Sequence, residues 1–167
     1  VLMVAVMSGS VPVVREVLAV GGSDEGIPVA AYRALLASVH SEVMELPFLE
    51  RLTALDIAVA KGSQPLVELL LQQRHSRISE TTIFLGLRDV DVLITLILAR
   101  GTSIVRDCRF PDGKSALHCA AADGRLETVA VLVDICGVPV EVVDSSGQTA
   151  IDLALMNGHT AIARFLS

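Results

Sequence analysis

Apolar residues recur along this chain in short bursts at helical spacing, and most bursts are closed by a glycine. An alanine holds one fixed place in four of them, at Ala5, Ala58, Ala120 and Ala154, and a glycine follows four residues later at Gly9, Gly62, Gly124 and Gly158. This pattern predicts a short first helix, a stop at which glycine takes the left-handed conformation, and a second apolar helix. The second helices are expected over 11–20, 65–72, 126–135 and 160–166. The small alanine lets neighbouring helices approach closely. Helix starts are legible too. Thr53-x-x-Asp56 and Thr149-x-x-Asp152 have capping-box form, in which the hydroxyl caps a backbone N–H and the acid reaches back. Ser115-x-x-His118 keeps the hydroxyl and carries histidine in place of the acid.

The two best copies of the pattern, 113–124 and 147–158, lie 34 residues apart. A unit this short cannot bury its apolar side alone, so its copies must stack on one another. The motif resembles the ankyrin repeat, whose consensus runs Gly-x-Thr-Pro-Leu-His-x-Ala-Ala-x-x-Gly-His and continues into a Leu-rich helix. Ser115-Ala116-Leu117-His118-Cys119-Ala120-Ala121 is the best copy, continued by Gly124, Leu126, Glu127, Val129 and Leu132. Asn157-Gly158-His159 and the run Thr53-Ala54-Leu55-Asp56-Ile57-Ala58 supply two more, with Ala in place of the usual Pro in all three. The resemblance implies an all-α ankyrin-repeat solenoid of stacked antiparallel helix pairs with short finger turns. On that reading 1–22 is a partial repeat, 51–78 a repeat, 79–110 a degenerate repeat, 111–143 a repeat and 144–167 a partial repeat.

Two stretches depart from the pattern. In the degenerate repeat, Asp89 is expected at the loop-glycine place, and 102–112 is expected to form the projecting finger, ending in a Pro111-Asp112-Gly113 turn. From Gly9 to Gly62 is 53 residues, about 20 more than one family period. The excess is expected to be an irregular insertion over 23–50. It opens with a loop at Gly21–Gly26 and holds a helix over 28–40, with Pro28 in the first turn and Val29, Tyr32, Leu35, Leu36 and Val39 on one face. A badly worn repeat is the alternative. Val1 falls inside a first helix and Ser167 inside a second, so the chain reads as an excerpt from a longer array.

Composition narrows the function. Apolar residues make up 52% and aromatics 3%, with no tryptophan, which suits close helix packing and not aromatic stacking platforms. A net charge of −6 argues against general nucleic-acid binding, which rests on neutralising phosphates. The best basic cluster, Arg74, His75 and Arg77, is small. The apolar run 92–99 is too short to span a bilayer, and no secretion signal is visible. Cys108, Cys119 and Cys136 are odd in number and irregular in spacing, which fits free thiols in a reducing compartment. An intracellular protein, cytoplasmic or nuclear, is expected.

Candidate chemistry is sparse. His118 beside Cys119 is the one pair that hints at nucleophilic catalysis, yet adjacent helical residues point about 100° apart. The resemblance instead implies a structural histidine that bonds within and between repeat turns. The cysteine spacings of 11 and 17 residues do not fit a zinc site, and Gly21, Gly22 and Gly26 do not space a phosphate cradle. No cofactor, metal or small-molecule substrate is expected. His159 reads as a local hydrogen-bonding residue.

What the resemblance does imply is a concave surface built from the finger turns and the ends of the first helices. Here those positions are Met7, Ser8, Ala60, Lys61, Asp112, Lys114, Ala122, Asp123, Ser146, Gln148, Met156 and Asn157. The expected function is a non-enzymatic scaffold that binds a protein or peptide partner on this strip. The alternatives are a Cys/His-dependent enzyme and a structural spacer or self-association segment. The 23–50 insertion is a further candidate recognition element.

Overall fold

A computed structural model describes residues 2–19, 27–28, 51–73 and 76–167. The fold is all-α apart from minimal strand pairing, as the repeat pattern predicts. The chain divides into two compact units, Val1–Leu85 and Gly86–Ser167. The first contains α1 (Leu2–Ser8), α2 (Val11–Ala19), α3 (Ala54–Ala60) and α4 (Gln64–Leu71); α5 (Glu80–Gly86) closes it. The second contains α6 (Val90–Arg100), α7 (Ser103–Arg106), α8 (Ala116–Ala122), α9 (Leu126–Ala130), α10 (Ala150–Met156) and α11 (Thr160–Leu166).

Within each unit the helices form pairs, and the pairs stack. In the first, α1 packs on α2 and α3 on α4, while α1 also meets α3 and α2 meets α4. In the second, α8 pairs with α9 and α10 with α11, and α8 stacks against α10. Ala58, Ala120 and Ala154 are fully buried at these approaches. A larger side chain there would overpack the contact by about 1–3 kcal/mol.

Polar residues close the helix starts. Thr53 and Asp56 form a reciprocal capping box, with the Thr53 N–H donating to Asp56 Oδ2 at 2.8 Å and the Asp56 N–H to Thr53 Oγ1 at 3.2 Å. Thr149 and Asp152 repeat it at 2.8 and 3.2 Å. Ser79 and Thr82 do the same with two hydroxyls, at 3.1 and 3.2 Å, so the start of α5 has the same form.

The end of that helix differs from expectation. Measured from the caps Ser79 and Ser115, Arg88 and not Asp89 stands where Gly124 stands. No described non-glycine residue has a positive φ, so this turn closes without a left-handed residue. Asp89 instead caps α6, its Oδ1 accepting from the Asp91 and Val92 N–H groups at 3.0 and 3.2 Å. Accepting at Ncap, this aspartate satisfies two of the N–H groups that α6 would otherwise leave without partners. In the finger, 103–106 is a helical turn, α7.

Pro28, expected in a helical first turn, is the second residue of the two-residue strand β1 (Ile27–Pro28). It pairs antiparallel with β2 (Arg51–Leu52), Ile27 opposite Leu52 and Pro28 opposite Arg51. Both strands of a two-stranded ribbon are edges, where proline is tolerated. The remainder of the expected inserted helix lies outside the described residues.

The 34-residue step from Ser115 to Thr149 contains a π-turn. After α9 the helix continues as a π-turn over Val131–Ile135, with the Cys136 N–H bonding the Val131 carbonyl five residues back at 3.1 Å. One extra residue is thereby absorbed without breaking the helix. Deleting Asp134, an exposed residue of this turn, is expected to restore α-helical bonding and to leave the melting temperature within about 3 °C of the parent. Deleting Val129 from α9 serves as the comparison, and differential scanning calorimetry should find it strongly destabilised. Equal loss from both deletions would show that the π-turn is not a tolerated insertion.

Candidate functional site

The residues singled out in the second unit lie on two finger turns and at the ends of α8 and α10. In the first finger, Asp112 Oδ1 accepts from the Lys114 N–H at 3.2 Å, and Lys114 Nζ meets Asp112 Oδ2 at 2.9 Å. In the second, the largely buried Asp144 accepts from the N–H groups of Ser146 and Gln148 at 2.8 and 3.0 Å, while Val143 bridges Thr149. The fingers then dock on each other. The Ser145 N–H donates to the Asp112 carbonyl at 3.1 Å. Gly113, at φ +76°, admits this contact because a Cβ there would come within 2.6 Å of Ser145 Oγ.

His118 ties the finger to the helices. It is 1% exposed, and the Ser115 N–H donates to its Nδ1 at 3.2 Å. Nδ1 is therefore the acceptor, and the ring proton sits on Nε2, which donates to the Gln148 carbonyl at 3.0 Å. Gln148 in turn directs its amide Nε2 to Met156 Sδ at 2.8 Å. Met156 and Asn157 are exposed, and Asn157 Nδ2 bonds the Leu153 carbonyl at 3.0 Å. Ser146 is exposed at the finger tip. Asp123 is exposed and pairs with Arg125 at 3.5 Å, and Ala122 is half-buried.

Sequence reasoning missed two links between repeats. His159 is not a local residue: its Nε2 lies 3.0 Å from the Ala122 carbonyl, 37 residues back. Its ring fills the space over Gly124, where a Cβ would come within 2.5 Å of Cε1. Arg125, at the matching place after a glycine, reaches the Arg88 carbonyl at 2.7 Å across the same separation. The recurrence of a long polar side chain after Gly124 and Gly158 was the available signal.

In the first unit, Lys61 Nζ donates to the Met7 carbonyl, so these two come together at the ends of α3 and α1. Ser8 Oγ donates to the Ala5 carbonyl at 2.6 Å, and Ala60 is half-buried.

Catalytic chemistry finds little support. Both nitrogens of His118 are engaged, and burial, with Asp112 next in weight, pushes the Cys119 thiol up to about 12. Cys119 is thus a neutral thiol at physiological pH and a poor nucleophile. Cys108 and Cys136 are buried. Among the described residues no three His, Cys, Asp or Glu side chains gather as metal ligands. Among the same residues no helix is long and apolar enough to cross a membrane.

Three carboxylates sit below the usual range. Hydrogen bonds from the Gln148 backbone hold Asp144 down, and the Thr149 hydroxyl does so for Asp152. Burial raises Asp112, but its bonds and charge pairing with Lys114 outweigh that. A folded-state value below the unfolded one gives stability that is present above the ordinary carboxylate range, about 4, and is lost as pH falls through the folded values. Melting temperature should therefore drop steeply below about pH 4. Asp144→Asn with Asp152→Asn should flatten that drop in a calorimetric pH series; an unchanged slope would refute the assignment.

Comparison with known proteins agrees with this architecture. The family model described as ankyrin repeats (3 copies) matches residues 87–167. The chain is 40% identical over 72 residues to the E3 ubiquitin-protein ligase XB3 of Oryza sativa subsp. japonica, covering 43% of this chain and 16% of that protein. It is 32% identical over 98 residues to the protein phosphatase 1 regulatory subunit 27 of Mus musculus, covering 58% and 63%. The matched stretch thus spans less than two-thirds of either relative.

Proposed function

We propose that this chain, a member of the ankyrin-repeat family, is a non-enzymatic scaffold that holds a protein or peptide partner on the strip formed by its finger turns and first-helix ends. The observation that carries this reading is the bracing of the strip itself. Finger is bonded to finger, finger to helix, and Gln148 to Met156. A surface already held in place loses little freedom on binding. Its relatives include one protein named as a ligase and one named as a regulatory subunit of a phosphatase. Both names fit a repeat segment that brings one protein to another.

The strip carries small, polar and apolar groups, and two of its charged residues, Asp112 and Lys114, pair with each other. A partner would accordingly be read by shape, by a few hydrogen bonds and by an apolar contact at Met156, whose thioether adapts to varied surfaces. Nucleic acid, membrane insertion and a small-molecule substrate have no place in this reading. The odd number and irregular spacing of the cysteines favour a reducing, intracellular setting. The enzyme alternative is disfavoured by the protonated Cys119 thiol.

The test uses proximity crosslinking followed by a binding measurement on each partner recovered. Met156→Arg with Lys114→Glu is expected to weaken binding by about tenfold or more, as loss of an interface centre does. The helical circular dichroism should be unchanged. Unaltered affinity of every recovered partner, with deletion of 29–50 abolishing it instead, would move recognition to the insertion.

A further inference from the structure

Met7 and Met156 hold the same place in their repeats, two residues after Ala5 and Ala154, but not the same surroundings. Met7 is half-buried, whereas Met156 is 69% exposed. The Met156 sulfur also takes a hydrogen bond, from the Gln148 amide Nε2 at 2.8 Å. The amide oxygen in that place would face a sulfur lone pair, so the nitrogen is the group that belongs there. Gln148 is held at its backbone on three sides. Its N–H donates to Asp144 Oδ1 at 3.0 Å, and its carbonyl accepts from the Asp144 N–H at 2.9 Å and from His118 Nε2 at 3.0 Å. The donor on the sulfur therefore rests on a fixed base.

A thioether sulfur carries two lone pairs, and in a folded chain they are not equivalent. The Gln148 N–H occupies one and leaves the other to solvent. We propose that Met156 is a stereoselective oxidation site, at which a peroxide adds oxygen to the free lone pair and yields mainly one sulfoxide epimer. The free pair attacks one peroxide oxygen and the O–O bond breaks. The departing hydroxide takes the proton from the transferred oxygen and leaves as water. Sulfur loses two electrons and the peroxide gains them. Attack through the other pair first has to break the Gln148 bond, and is slower for that reason. Methionine sulfoxide is reduced by two classes of reductase, one for each epimer, so a single-epimer product is restored by one class alone. On the strip proposed for partner binding, the new oxygen replaces an apolar contact with an acceptor. That consequence rests on the binding reading; the epimer ratio does not.

The test treats the full folded chain with hydrogen peroxide, then separates the two Met156 sulfoxide peptides by chromatography with mass detection. Met156 should react before Met7, as exposure dictates. One epimer should exceed the other by about fivefold, the ratio that one ordinary hydrogen bond supports. In urea the two should form in nearly equal amounts. Gln148→Leu keeps the side-chain volume and removes the donor, and should equalise the epimers in the native chain with helical circular dichroism unchanged. Gln148→Glu keeps the length, offers no N–H and should do the same. Equal epimers from the native parent, Met7 reacting first, or an excess that survives both substitutions would overturn the proposal. Because the readout is chemical, its failure is distinct from failure of the binding strip.

Discussion

The fold depends on one side chain doing two jobs at the start of α3 and again at the start of α8. A short helix leaves its first N–H groups without partners, and a short helix pair leaves one apolar flank bare. The third helical residue answers both. Asp56 holds Thr53 and reaches Thr82, and His118 holds the Ser115 N–H and reaches the Gln148 carbonyl. Aspartate accepts on both sides, whereas neutral imidazole accepts on one and donates on the other. The chemistry differs because the next repeat offers a hydroxyl in one case and a carbonyl in the other.

That link also stiffens the surface proposed for partner binding. The Gln148 carbonyl that His118 holds belongs to the finger whose side chain supports Met156, so helix, finger and contact point move together. The same burial that secures His118 keeps Cys119 protonated. Positions that resemble a catalytic pair in the sequence are thus the ones most committed to structure.

Much of this was legible beforehand. The Thr-x-x-Asp starts, the fixed alanines and the turn glycines each predict a local geometry, and local geometry is what short-range patterns encode. What escaped was non-local or lay in shifts of register. His159 and Arg125 act across 37 residues, which no local pattern reports. Asp89 was misplaced because the spacing drifts by a residue here, which puts Arg88 at the glycine place and leaves Asp89 to cap α6. The 34-residue step between the two best copies was countable, but the π-turn over Val131–Ile135 leaves no compositional mark. Pro28 carried a valid helix-start signal that strand pairing with Arg51 overrode.

The stacking of α8 on α10 rests most directly on the inter-repeat link at His118. Denaturant unfolding of His118→Ala, read together with native-state hydrogen exchange, is the direct measurement. Loss of about 2–4 kcal/mol is predicted, because the buried Ser115 N–H loses its acceptor and a cavity opens. Amides of α10 and α11 should then exchange through openings that leave α8 protected. A loss under about 0.5 kcal/mol, the range of an ordinary surface change, with α10 and α11 still protected alongside α8, would contradict it.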